Sequence, residues 1–308
     1  MSKLSFFFFI PLLIIPGCAN VLVEDKSGVD VKSVSFTADS FVYDGMTKSV
    51  VDPSNGNFTW AADDTVGIYP NSGSQIYFAM INGAGTNTAT FDGGGWAFKS
   101  GASYVSYYPF IADFYLDRTK IPVSFVNQRQ DGPDNFSHFG KFDYMYTKPT
   151  EVINNSLSFN YKHLICVLQV NATLPAGTYK QLTLSAADAV FVEKGHFSLD
   201  DENPAIVGDK FSKELSIVLD NITLTEMKKI SIYIVSAPLD LSGKTMTVSV
   251  IDSDKKQLDC IKNIPASYPF RAFNFYPFGC SSWAEVPQSV GLVINDWGDG
   301  GSISGGAE

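Results

Sequence analysis

The sequence predicts an all-β protein of two domains, each a sandwich or a barrel. Three observations carry that prediction. Phe and Tyr number 24 and 14 in 308 residues, and Val, Ile and Thr are frequent, which is strand-forming composition. Short runs of alternating apolar and polar residues recur about every ten residues, separated by Gly, Pro, Asn and Asp. No segment keeps helical spacing over three turns; Leu224 to Lys229 holds one short turn at most.

The chain opens with Lys3 and an apolar run from Phe6 to Ile15. A membrane-spanning helix needs about 20 residues, so this run is too short and fits a secretory signal. It ends at Ile15-Pro16-Gly17-Cys18, which is similar to a bacterial lipobox, with Ile15 and Pro16 in place of the usual leucine and small residue. Cys18 is the expected lipidation site, and a lipid there would anchor the chain without spanning the membrane. The expected organisation is a signal peptide over 1–17, a tether over 18–32, an N-terminal domain over 33–153 and a C-terminal domain over 154–308.

Strand signals then follow in order. Val31 to Phe36 places Val34 and Phe36 on one face, and Ser40 to Tyr43 ends in the turn Asp44-Gly45. Trp60 precedes a polar turn and a strand carrying Val66 and Ile68; Ile76, Phe78 and Met80 alternate. Tyr104 to Tyr108 is stopped by Pro109. Ile121 to Val126 and Tyr144 to Tyr146 are short strands, and the polar stretch Asn127 to Gly140 between them reads as an exposed, mobile loop. The domain boundary is expected at Glu151 to Asn155.

Leu157 to Val170 organises the middle of the chain. Leu157, Phe159 and Tyr161 alternate with polar residues, and Leu164 to Leu168 are continuously apolar, as in a strand buried on both faces. It is expected to open the second domain, with His163 a hydrogen-bonded core residue. Strands continue at Gln181 to Ala186, Ala189 to Val192, Gly195 to Leu199, Leu215 to Leu219, Ile230 to Ser236, Met246 to Ile251 and Phe273 to Phe278. Val290 to Ile294 reads as one more strand, and residues 298–308 as a flexible tail.

A net charge of -10 without a basic patch argues against nucleic acid as a partner. After Cys18 three cysteines remain, an odd number that gives no full disulfide framework; Cys166 reads as a small buried hydrophobe. Cys260 and Cys280 lie at unequal distances from the turn between them, which weighs against a bond. The chain lacks a phosphate loop, a CxxC pair and a nucleophile elbow, and His138, His163 and His196 are scattered. Asp63-Asp64 and Asp200-Asp201-Glu202 read as solvated turns. No catalytic residue, metal ligand or cofactor is therefore expected.

The order of several motifs adds to this reading: the lipobox, Trp60-x-x-x-Asp64-x-x-Gly67-Ile68-Tyr69, Tyr107-Tyr108-Pro109, Asp143-Tyr144-Met145-Tyr146, Phe159-x-x-x-His163 and Ile294-x-Asp296-Trp297. Together they resemble the fimbrillin family of Bacteroidales lipoproteins, the subunits and accessory proteins of type V pili. The resemblance implies two tandem transthyretin-like β-sandwich domains, delivery to the outer membrane, and no enzymatic activity. It implies other pilin subunits as partners, joined by strand exchange: a protease removes an N-terminal segment with its first strand, and a neighbour's strand fills the groove. By position, Val34 and Phe36 lie on the candidate displaced strand, and Val290, Leu292 and Ile294 on the candidate donor strand. The chain departs from the pattern in having its first arginine at Arg118, so an arginine-specific cut near the N-terminus is excluded, whereas Lys26, Lys32 and Lys48 remain for another protease.

A host glycan or protein receptor is a further expected partner. The competing reading is a surface lipoprotein that binds glycans through Trp96, Tyr104, Tyr115 or Trp283, each of which could equally be packed in a core or at an edge. An enzyme ranks behind both, because it would need two carboxylates facing each other across a cleft.

Overall fold

In a computed structural model, residues 33–39, 42–43, 59–113 and 116–287 are described. The signal, the tether with Cys18, Tyr115, the tail and the donor candidate Val290, Leu292 and Ile294 lie outside them. The fold is all-β. Its only helical turn among the described residues is a 3-10 segment, Phe139–Lys141.

The first eleven strands are β1 (Ser33–Ala38), β2 (Val42–Tyr43), β3 (Thr65–Pro70), β4 (Ile76–Asn82), β5 (Thr88–Asp92), β6 (Ser103–Tyr108), β7 (Ile121–Ser124), β8 (Gln128–Asp131), β9 (Met145–Thr147), β10 (Thr150–Glu151) and β11 (Ser156–His163). Ten follow: β12 (Cys166–Leu174), β13 (Gly177–Ala186), β14 (Phe191–Phe197), β15 (Val207–Ser212), β16 (Glu214–Leu224), β17 (Lys228–Ser236), β18 (Thr245–Asp252), β19 (Gln257–Asn263), β20 (Asn274–Cys280) and β21 (Ala284–Val286).

The first body is a closed ring, one of the two forms the strand pattern allows, where the resemblance implied a β-sandwich over 33–153. Its strands run β6-β3-β4-β5-β1-β11-β9, and β9 returns to β6 through Tyr107↔Tyr146 and Tyr108↔Met145. Closure removes the sheet edges that an open layer would expose. Alternation sends Phe36, Val66, Ile68, Phe78, Phe91, Tyr104, Leu157, Phe159 and Tyr161 into one apolar core, joined by Trp60 and Phe98.

The second body encloses its core between a four-stranded sheet, β17-β12-β20-β2, and a six-stranded sheet, β21-β19-β18-β13-β16-β8. A three-stranded sheet, β15-β14-β7, completes it. β12 is apolar on both faces at Cys166, Val167 and Leu168, which are fully buried.

Two expectations about the middle of the chain change. β11, expected to open the second domain, instead closes the first ring, pairing with β1 and β9; the chain passes to the second core at Leu164 and Ile165. In the other direction, Ile121, Val123, Phe125, Phe136 and Phe139 sit in the second core, although they precede residue 153. The cores therefore interleave along the chain, because β7 pairs with β14 and β8 with β16. The outer face of the ring also contributes: Tyr69, Val105 and Tyr107 belong to the second core.

The stretch Asn127 to Gly140 is not an exposed loop. Gln128 and Gln130 are fully buried, and Phe136, His138 and Phe139 are buried with them. Gln128 Nε2 donates to Val235 O at 2.8 Å while Val235 N donates to Gln128 Oε1 at 2.8 Å. Gln130 repeats the pattern with Ser231 O and Tyr233 N. These amides pair with the outer backbone groups of β17 as a neighbouring strand would, so the polar residues are buried because they seal an edge.

Candidate functional site

The candidate displaced strand, Val34 and Phe36 on β1, occupies a slot between β5 and β11. It runs parallel to β11 in six residue pairs, Ser33↔Ser156 to Ala38↔Tyr161, and antiparallel to β5 at Phe36↔Ala89 and Thr37↔Thr88. Val34, Phe36 and Ala38 point to the ring core, as a period of two requires. Phe36 is fully buried, with ring centroids 4.6 Å from Phe91, 5.1 Å from Phe159 and 6.4 Å from Phe78. On the outer face Ser35 Oγ meets Ser158 Oγ at 2.9 Å and Thr37 Oγ1 meets Thr88 Oγ1 at 3.3 Å. The slot is thus lined with aromatic rings inside and satisfied by backbone pairing at both sides. Taking β1 out of this geometry would open the ring and bare two edges, those of β5 and β11.

The exit of β1 is clamped by a buried pair. His163 Nε2 donates to Asp39 O at 2.9 Å, since a carbonyl can only accept. His163 Nδ1 lies 2.5 Å from Asp143 Oδ1, and both side chains are wholly buried. That second contact needs its own proton, so the pair carries one proton more than a neutral imidazole and a carboxylate. Burial pushes the Asp143 carboxyl upward, opposed by the charge and hydrogen bond of His163. Phe273 covers the ring with centroids 5.5 Å apart. His163 is the hydrogen-bonded core residue expected of it. The clamp joins three segments, the end of β1, the entry to β9 and the end of β11, and no spacing in the sequence links Asp39, Asp143 and His163.

The Trp60 and Asp64 motif also has a structural role. Asp64 Oδ2 accepts from Ala61 N at 2.7 Å and Oδ1 from Tyr108 OH at 2.7 Å, closing the turn that holds Trp60. Trp60 packs edge-on against Phe91, Tyr108 and Tyr161 in the ring core. Gly67 faces Tyr107 across β3 and β6: a Cβ at Gly67 would lie 2.1 Å from that ring. Arg118, the first arginine, donates to Asp200 and to Pro70 O at 3.1 Å.

The aromatic candidates for glycan binding are dispersed. Tyr104 is buried against Phe98, Trp283 donates to Thr173 O at 2.8 Å, and Trp96 is 43% exposed. Among the described residues no three His, Cys, Asp or Glu side chains gather as a metal group would require.

No family model matches the chain, and no curated protein matches it. Solved structures do. A candidate cell adhesion protein from Bacteroides ovatus superposes with a TM-score of 0.52 at 13% identity, over 83% of this chain and 96% of that one. Another from Bacteroides uniformis gives 0.50 at 15% identity, over 75% and 93%. The chain shares its fold with these two proteins. The tip fimbrial protein Mfa3 from Porphyromonas gingivalis aligns over 83% of this chain and 96% of its own at 9% identity, with a TM-score of 0.41.

Proposed function

We propose that the chain is a subunit or accessory protein of a surface pilus, joined to its neighbours by strand exchange at the β1 position. One observation carries the reading: an N-terminal strand, parallel to its neighbour, is the closing stave of a ring that otherwise has no edge. Its loss would leave the β5 and β11 backbones unpaired and an aromatic core open, both costly in water. A replacement strand that restores the same hydrogen bonds must run parallel to β11 and present three alternate apolar side chains.

Val290, Leu292 and Ile294 have that spacing, matching Val34, Phe36 and Ala38. The chain reaches them from β21, the edge strand of the six-stranded sheet, past Pro287, which cannot extend the ladder. In this reading the ring and the sandwich take the places of the two tandem transthyretin-like domains, and Cys18 carries the lipid that holds the chain at the outer membrane. The work is adhesion and assembly, without bond chemistry. The adhesion role assigned to the two Bacteroides proteins of the same fold supports it.

The test is limited trypsin digestion of the purified chain, followed by electrophoresis in detergent without heating. A ladder of oligomers is expected once the segment carrying β1 is cut away, and Leu292→Asp should abolish it while leaving cleavage unchanged. A product that has lost β1 and remains monomeric would overturn the proposal.

A further inference from the structure

The end of β1 hangs on a hydrogen bond whose proton depends on a buried carboxyl. His163 Nε2 donates to Asp39 O at 2.9 Å, and His163 Nδ1 meets Asp143 Oδ1 at 2.5 Å. Each contact needs a proton of its own, because one partner is a carbonyl and the other a carboxyl. Asp143 Oδ2 is buried without a hydrogen-bond partner, so that oxygen has no donor to share a charge on the carboxylate. Phe273 covers the imidazole, its ring tilted 27° to it. It sits in the left-handed region at φ 70°, and its N–H donates to Ile165 O at 2.7 Å. The charged and titratable neighbours come from several elements. Asp39 at the end of β1, Tyr146 on β9 and Lys162 on β11 line a cavity of about 240 Å³ with His163. On the other side Tyr108 OH donates to Asp64 Oδ1, and burial chiefly, with Asp143 in part, pushes the Asp64 carboxyl upward.

We propose that Asp143 and His163 form a proton-operated latch on β1, closed while the pair holds both protons and open once it has lost one. With one proton left, the carboxylate claims it through Nδ1–H, since the charge-assisted bond is the stronger. Nε2 then turns a lone pair toward Asp39 O, and the attraction at that carbonyl becomes a repulsion. Burial holds the Asp143 carboxyl above its ordinary range, opposed by the charge and hydrogen bond of His163. A group raised in this way stabilises the fold below its ordinary range, and the contribution is lost as pH rises through the raised value. The latch therefore opens as pH rises. Opening loosens the end of β1, where Ala38 N donates to Asn87 O and Asp39 N to Tyr161 O, each at 3.2 Å. Its use in assembly rests on strand exchange at the β1 position; the latch itself does not.

The test is amide hydrogen exchange of the uncut chain from about pH 5 to about pH 9, corrected for the pH dependence of exposed amides, so it reads the latch whether or not subunits exchange strands. Protection at Ala38 and Asp39 should fall by up to about tenfold per pH unit, as linkage to one proton requires, while β13 keeps its protection. Asp143→Asn should flatten the profile: its amide N–H donates to Nδ1, and the Nε2 proton stays on Asp39 O at every pH. Nitrogen-15 signals of the His163 ring in the unmodified chain give a second reading that needs no variant. Nε2 should lose its proton as pH rises while Nδ1 keeps one. Protection at β1 that ignores pH, an equal loss in β13, a wild-type profile in Asp143→Asn, or an Nε2 that stays protonated throughout would each overturn the proposal.

Discussion

His138 shows how one side chain makes the fold sensitive to pH. Its Nε2 donates to Tyr233 O at 3.1 Å, on the edge of β17, while Nδ1 is buried without a partner. Burial pushes its pKa down to about 4, and the Lys141 charge adds to this, against the pull of the Tyr233 carbonyl. Between that value and about 6.5 the unfolded chain binds a proton that the folded chain refuses. Stability therefore rises with pH across this window, and acidification through it costs about 3 kcal/mol. Asp143, whose pKa is raised by burial, works in the opposite sense: its contribution is present below the ordinary carboxylate range and fades as pH rises. Urea unfolding at pH 7 and pH 4.5 measures the balance. His138→Gln, which keeps a donor for Tyr233 O, should flatten the acid limb and leave the Asp143 slope in place. An unchanged acid limb in the variant would refute the assignment.

At the scale of elements, the edges decide what the molecule can join. The outer side of β17 is closed by Gln128 and Gln130, by Asp134 Oδ1 accepting from Ser231 N at 2.6 Å, and by His138. Gln130→Leu would take the Gln130 acceptor from Tyr233 N, while Ser231 O keeps Asp134 N at 3.2 Å, at a cost of about 1–3 kcal/mol. Amide hydrogen exchange should speed up at Tyr233 and stay unchanged in β13, on the far sheet. Equal speeding in both strands would mean global loss of stability rather than an opened edge. β11 was legible in sequence because its alternation follows from one buried face. β8 was not, since buried glutamines that replace a neighbouring strand look the same as loop glutamines. The slot of β1 was half legible: Val34 and Phe36 stand out by spacing, whereas their partners Phe91 and Phe159 are set by pairing between distant strands.

At the scale of the whole molecule, the ring and the sandwich are fused through Tyr69 and Tyr107. Tyr107 lies over Gly67, donates to Gln75 Oε1 at 2.5 Å and accepts from Ile111 N at 3.1 Å, while its ring packs in the second core. A shared interface of this kind couples the unfolding of two bodies. The intact chain should unfold in one urea transition when followed by tryptophan fluorescence, where Trp60 reports the ring, and by circular dichroism. Tyr107→Ala should cost about 3–5 kcal/mol and separate the two signals. Coincident transitions in the variant would show that the coupling runs elsewhere.

The sequence alone determined the class of secondary structure, the core status of His163 and Cys166, and the apolar alternation of β1 and β11, since each depends on neighbours a few residues away. Only the tertiary structure decided that the first sheet closes into a ring, that β7 and β8 serve the second core, and that Asp39, Asp143 and His163 share a clamp. Those outcomes depend on which strands meet across separations of about 20 to more than 120 residues, and local periodicity carries no information about the choice of partner.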